Sequence, residues 1–206
     1  MINYEGEIRL SILIPSIIER EHLFSPLIIE LQNQINKCYT DHPALGTSLV
    51  HTYITETFTN GGLSIGKKRE WLLNIALGTY ICFLDDDDQV SPDYIETLLR
   101  LCYEDKDVCT FRNFSTFDNY WTVVDMDLEH EENEQATPEN IVKRKPWHIC
   151  PVKAEHAKGI EFPDSNYGED WVWFEQVLKN CKTQAKTNKI IHRYNHSLNH
   201  SAADNG

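Results

Sequence analysis

Four aspartates in a row, Asp85-Asp86-Asp87-Asp88, follow directly on the apolar run Thr79-Tyr80-Ile81-Cys82-Phe83-Leu84. Adjacent carboxylates repel one another and are costly to desolvate. A buried strand that ends in them carries negative charge to the edge of a sheet. A divalent cation compensates such a cluster, because Mg²⁺ and Mn²⁺ prefer oxygen ligands. Mg²⁺ commonly takes one or two carboxylates plus substrate phosphates. The plainer alternative is a solvated acidic turn before a helix. Its place immediately after a wholly apolar strand favours the metal.

Three further groupings carry chemistry. Gly66-Lys67-Lys68-Arg69 follows the break Asn60-Gly61-Gly62. Cations at a helix start oppose its dipole, and a bound anion would relieve that conflict. A solvated basic turn is an equal rival. Tyr167-Gly168-Glu169-Asp170-Trp171 opens a helix with two carboxylates behind a glycine. The dipole favours acids there, and a general base at a pocket mouth needs the same residues. The tail holds His192, His196 and His200 among asparagines and serines. One histidine could complete an oxygen-rich metal site; otherwise this is a polar terminus, the reading preferred for His200.

The elements that position these groups follow from periodicity. Arg9–Pro15 reads as a strand buried on both faces. Glu21–Tyr39 repeats apolar residues at four-residue spacing, a helix with Pro26 in its first turn. Thr47–Thr57 reads as a second strand. Ser64 caps the next helix, whose apolar face is Trp71, Leu72, Ile75 and Ala76 and which Gly78 ends. The strand before the aspartates comes third. A helix begins at Ser91-Pro92, with Ser91 as its cap. Strand and helix thus alternate, the mark of an α/β domain with a parallel sheet. Right-handed crossovers then bring the carboxyl ends of the strands to one edge, where ligands bind. Beyond residue 105 the pattern loosens. Val108–Phe117 and Tyr120–Val124 suggest an antiparallel pair, Asp125–Asn140 a solvated acidic loop, Glu169–Leu178 a helix, and Ile190-Ile191 a last strand.

The chain has 206 residues and a formal net charge of −13. That charge disfavours nucleic acid, whose binding rests on neutralising phosphates. No apolar run approaches a membrane span, and no secretory signal is evident. The six cysteines form no CxxC pair, which suits small core residues in a reducing compartment. The expectation is one soluble, cytoplasmic domain over 1–206, without a Walker loop or a GxGxxG fingerprint.

The ordered set of motifs resembles a GT-A fold glycosyltransferase, most like glycosyltransferase family 2. Leu10–Ser16 is similar to that family's opening strand and proline. The glycine and basic turn, the Leu77–Asp88 segment with its DxD motif, Gly168-Glu169-Asp170-Trp171 and Tyr194-Asn195-His196-Ser197 follow in the family's order. The resemblance implies an α/β domain, its mainly parallel central sheet flanked by helices with a small antiparallel addition. Residues of about 1–105 would bind the nucleotide sugar, and about 106–206 would form the acceptor side and tail. It implies transfer of a hexose from a nucleotide-diphosphate sugar to the hydroxyl of a carbohydrate or glycoconjugate. A UDP-sugar is expected, UDP-glucose or UDP-galactose first, with Mn²⁺ or Mg²⁺ as cofactor and inversion at the anomeric carbon. Pro15, Ser16, Arg20, Lys68, Arg69, Asp85 and Asp86 would hold the nucleotide sugar, Asp85 at the ribose. Asp87 would bind the metal with His196 near it, Asp86 and Asp88 being alternates because a run of four leaves the register open, and Asp170 would be the base. Glu56 stands where the family has an acidic residue that reads the nucleobase, though in a different local motif. Strand-end carboxylates also serve metal-dependent nucleotidyltransferases and phosphohydrolases. A non-catalytic nucleotide-sugar binder is the third reading.

Overall fold

The computed structural model describes residues 7–55, 62–117 and 119–196. Strand β1 (Ile8–Ile17) is the spine, with Leu10, Ile12, Leu13 and Ile14 fully buried. Helix α1 (Glu21–Asp41) leads from it to β2 (Thr47–Thr55), and α2 (Ile65–Ile75) leads on to β3 (Tyr80–Phe83). Both β2 and β3 pair with β1 in parallel. The short β4 (Gln89–Val90) and helix α3 (Tyr94–Tyr103) follow. Next come β5 (Val108–Phe117), β6 (Tyr120–Met126), β7 (Asn140–Arg144) and β8 (Val152–Lys153). Helices α4 (Ala154–Ala157) and α5 (Glu169–Leu178) precede the last strand, β9 (Gln184–Asn195).

All the strands join one nine-stranded sheet, with the path β2-β1-β3-β8-β5-β6-β7 and β9 beside β5. β8 runs antiparallel to both β3 and β5, so β5 points the same way as β3. β9 is parallel to β5. The long strands β1, β2, β5 and β9 and the strand that delivers the aspartates therefore end on one edge. The antiparallel addition is the β5–β6 hairpin, in which Phe117 faces Tyr120.

Several local expectations change. α1 begins at Glu21 as expected, which puts Pro26 past its first turn and inside the helix. Ser91 does not cap α3. Its hydroxyl donates to Asp93 in a turn, and Asp93 takes the capping position. In α2 the buried face is Lys68, Arg69, Leu72 and Leu73, while Trp71 and Ile75 turn outward. The acidic stretch is not wholly solvated either. Asp125 and Asp127 are buried and receive Lys186, and Asp125 also receives Arg112. Those cations come from β9 and β5, outside the stretch itself. All six cysteines are free and buried.

Gly66 fixes how α2 meets the loop that leads into α5. A Cβ there would lie 1.9 Å from the Pro163 carbonyl oxygen, and the Gly66 amide donates to Ser165 O at 3.0 Å. Neither contact can yield without moving backbone. Gly66→Ala is expected to cost about 3 kcal/mol, the upper end of ordinary overpacking. That would lower the melting temperature by roughly 10 °C. A thermal melt within a degree or two of the parent would show that the loop is free to move away.

Candidate active site

The strand ends open onto one cleft of about 920 Å³. Its floor is Pro15, Ser16 and Ile17 from the end of β1 and Asp85, Asp86 and Asp87 after β3. One wall carries Lys68 and Arg69 of α2, another Gly168, Asp170 and Trp171 at the start of α5, and Tyr194 and His196 close the third. Pro15, Ser16, Arg20, Lys68, Arg69, Asp85, Asp86, Asp87, Asp170 and His196, all expected from the sequence, line this cleft, whereas the candidates Asp88 and His192 do not. Glu56 and His200 lie outside the described residues.

The four aspartates form a turn after β3 and alternate in exposure along it. Asp86 and Asp88 are buried, while Asp85 and Asp87 are partly exposed. Asp86 is clamped. Ser16 Oγ donates to it at 2.6 Å, and the Arg20 guanidinium donates at 2.6–2.9 Å to both its oxygens. Asp88 holds the turn together: its Oδ2 accepts the Asp85 amide at 2.8 Å and lies 3.0 Å from His192 Nε2. His192 is itself buried and fixed by Asn113 at 3.0 Å, so β9 braces the aspartate turn from below. The tail up to Asn195 is therefore strand and not the polar terminus its composition suggests.

Asp85 and Asp87 face the cleft with unequal compensation. Burial raises the Asp85 carboxyl, but Arg69, 2.7 Å away, holds it below its ordinary value. Among the described residues Asp87 has only a shared ion pair, with Arg20 at 2.9 Å. Burial and the neighbouring Asp85 and Asp88 push it up to about 6. It is the carboxylate of the four most in need of positive charge.

Arg69 is a strut. It is 3% exposed, donates to Glu169 Oε1 at 3.0 Å as well as to Asp85, and stacks over Phe83 at 5.1 Å. Burial lowers its pKa, and Asp85, Asp170 and Glu169 more than reverse this. Glu169, by its type a solvated helix-start acid, is thereby buried at 4% exposure. The same junction is packed by an aromatic cluster. Trp173 stacks on Phe162 at 4.4 Å, and Phe83 meets both edge-on at 5.5 Å. This locks α5 against the end of β3. Gly168, at φ +72°, supplies the left-handed turn that starts α5 there.

The amides at the start of α2 are not open to an anion. Ile65 N–H goes to Asn166, Gly66 N–H to Ser165, and Lys67 N–H to the cap Ser64. Lys68 is buried beside the Ser16 carbonyl at 3.4 Å, and burial lowers its ammonium below the usual range despite Asp86 and Glu19.

Asp170 reaches the cleft from the first turn of α5. Burial would raise its pKa, but His148 and Arg69 hold it well below the usual carboxylate range. His148 Nδ1 is 2.8 Å from Asp170 Oδ2. Sequence reasoning passed over His148, which sits in no motif and whose partner is remote in the chain, and it offered His192 only as a candidate metal ligand, whereas His192 sits against Asp88 and Asn113. Among the tryptophans, Trp173 is core, Trp147 lies under Arg144 and Trp121 stacks on Phe114. Trp171 lines the cleft at 39% exposure, beside Tyr167 at 81%.

An α/β sheet with carboxylates at its strand ends, facing a helix-borne carboxylate across one cleft, is the GT-A arrangement. The profile of glycosyl transferase family 2 matches residues 54–160, and the chain belongs to that family. No curated protein matches the chain in sequence. Among solved structures it is similar to S. aureus TarS 1-349, with a TM-score of 0.62 and 17% identity over 91% of this chain. It is likewise similar to TarS 1-349 in complex with UDP-GlcNAc, at a TM-score of 0.63 and 14% identity over 95%. With the UDP complex the TM-score is 0.62, at 16% identity over 92%. The chain covers 60% and 61% of those structures. Among its described residues no helix is long and apolar enough to cross a membrane.

Proposed function

We propose that the chain transfers a hexose from a UDP-sugar to a hydroxyl of a carbohydrate or glycoconjugate, with inversion. The carrying observation is that one cleft holds Asp85 and Asp87 on its floor and Asp170 on its wall. Its volume suits a nucleotide sugar. Asp170 takes the proton of the acceptor hydroxyl. The acceptor oxygen then bonds to the anomeric carbon as the bond to the diphosphate breaks, and the electron pair leaves on the diphosphate oxygen. Attack opposite the leaving group inverts that carbon. Trp171 and Tyr167 offer aromatic faces to the acceptor ring.

The donor atoms fit Mn²⁺ or Mg²⁺ in one manner only. Among the described residues no three His, Cys, Asp or Glu side chains gather as a metal-holding group. Asp85, Asp86 and Asp88 are already engaged by Arg69, Arg20 and His192. Asp87 shares Arg20 with Asp86 and is the least compensated of the four, with His196 on the adjoining wall. A hard cation held by one carboxylate and the donor's phosphates is an ordinary arrangement. Such an ion offsets the charge that builds on the leaving diphosphate.

A donor screen tests the reading. The protein is incubated with Mn²⁺, a carbohydrate acceptor mixture and UDP-glucose, UDP-galactose or UDP-GlcNAc, the last because a similar structure holds it. UDP release that depends on acceptor supports transfer. Release of pyrophosphate or phosphate without sugar transfer would reassign the cleft to nucleotidyl transfer or phosphohydrolysis. Calorimetry checks the metal: Mn²⁺ is expected to tighten UDP binding by about tenfold, roughly 1.4 kcal/mol, and Asp87→Ala to abolish that gain. Affinity indifferent to both would remove Asp87 from the metal site.

A further inference from the structure

The loop between β7 and β8 carries a histidine that has no place in the motifs. The backbone of His148 is pinned to β3, since its carbonyl accepts the Phe83 amide at 2.9 Å. Its ring lies behind Asp170 and does not line the cleft, with Nδ1 2.8 Å from Asp170 Oδ2. Its Nε2 is buried and makes no hydrogen bond among the described residues. An unsatisfied buried polar atom costs about 1–3 kcal/mol.

We propose that His148 is a positioning residue for the acceptor base. It holds one oxygen of Asp170 so that the other faces the acceptor hydroxyl, and its own protonation weakens the base. The inference rests on the reading of Asp170 as the base. The charged groups around the ring are Asp170 from α5, Asp85 from the turn after β3 and Arg69 from α2. Burial and Arg69 oppose a charge on His148, while Asp170 and Asp85 favour it, and the balance lies above the ordinary value. With His148 protonated, two cations stabilise the Asp170 carboxylate and make it a poor proton acceptor. With His148 neutral, Nδ1–H still donates to Oδ2, one positive charge is gone, and Asp170 accepts a proton more readily. Transfer therefore accelerates as pH rises through the titration of His148, above the free-histidine value of about 6.5, and not through that of Asp170.

The test is kcat for transfer against pH in the full chain, for the parent, His148→Asn and His148→Ala, with UDP affinity and a thermal melt for each. The asparagine amide replaces the Nδ1–H donor but cannot take up a proton. The parent is expected to gain about tenfold in kcat between pH 6 and 8, a fraction of the roughly 10²–10⁴-fold that a general base contributes. H148A should lose about tenfold at pH 8 with donor KM unchanged. H148N should recover most of that loss and show a flat profile. An acid limb retained in H148N, or an unchanged kcat in H148A, would overturn the proposal. If H148A fails to fold, H148N alone decides it through the limb. Asp170→Asn separates the two readings. If that variant still transfers, Asp170 is not the base and the inference falls with it. If it does not, and H148N keeps the parent profile, only the role of His148 is lost.

Discussion

Replacing Arg69 by methionine is expected to destabilise the fold by about 3–5 kcal/mol, the usual cost of breaking a buried ion pair from one side. Methionine keeps most of the side-chain volume, so the loss is electrostatic and not a cavity. Two carboxylates are stranded, and they do not weigh equally. Asp85 is 35% exposed in its side chain, and water screens much of its pairing. Glu169 is 5% exposed, so its unpaired charge carries most of the cost. Neutralising it should restore stability: Arg69→Met with Glu169→Gln is expected to lose less than Arg69→Met alone. Urea unfolding of the two single variants and the double variant measures the coupling directly. An Arg69→Met variant within about 1 kcal/mol of the parent, the value of an exposed pair, would mean that α5 is held by Trp173, Phe162 and Phe83 alone. The same variants bear on function, because the strut fixes the distance between the two sides of the cleft. Glu169 and Asp85 are joined through one guanidinium, and Asp170 follows Glu169 in the first turn of α5.

The parts of this arrangement that could be read from the chain are those set by local pattern. The apolar runs of β1 and β3, the four-residue spacing of α1, the Ser64 cap and the β5–β6 hairpin need only neighbours in sequence. What escaped depends on partners remote in the chain. The face of α2 cannot be assigned from hydrophobicity, because Lys68 and Arg69 point inward. Arg69 finds its compensation 16 and 100 residues away, at Asp85 and Glu169. β9 looked like a short strand followed by a polar tail. Its Lys186 and Arg193 are hydrophilic, yet Lys186 serves Asp125 and Asp127, and Arg193 lies over Phe114 at 5.5 Å. The division of labour among Asp85 to Asp88 was equally hidden. Four identical residues have no internal signal, and among the described residues it is Ser16, Arg20, Arg69 and His192 that distinguish them.

Asp170→Asn is expected to abolish transfer while leaving the donor in place. The substitution is nearly isosteric, and the asparagine carbonyl can still accept from His148 Nδ1–H, so the ring and the start of α5 keep their geometry. The side chain no longer takes a proton at useful pH. General-base assistance is worth about 10²–10⁴ in rate, and kcat should fall by that amount. On the proposed reading the donor is held elsewhere, by the floor of the cleft around Ser16, Asp85 and Asp87, so UDP affinity should change by less than about threefold, under 1 kcal/mol. Slow acceptor-independent hydrolysis of the donor supplies an internal control. It uses the same floor, but water replaces the acceptor and depends less on a positioned base. Hydrolysis that persists in Asp170→Asn while transfer disappears would assign the carboxylate to acceptor activation. Parallel loss of UDP binding, hydrolysis and transfer would instead make Asp170 part of the scaffold that Arg69 and His148 hold together. The base would then have to be sought among the remaining groups on the cleft wall.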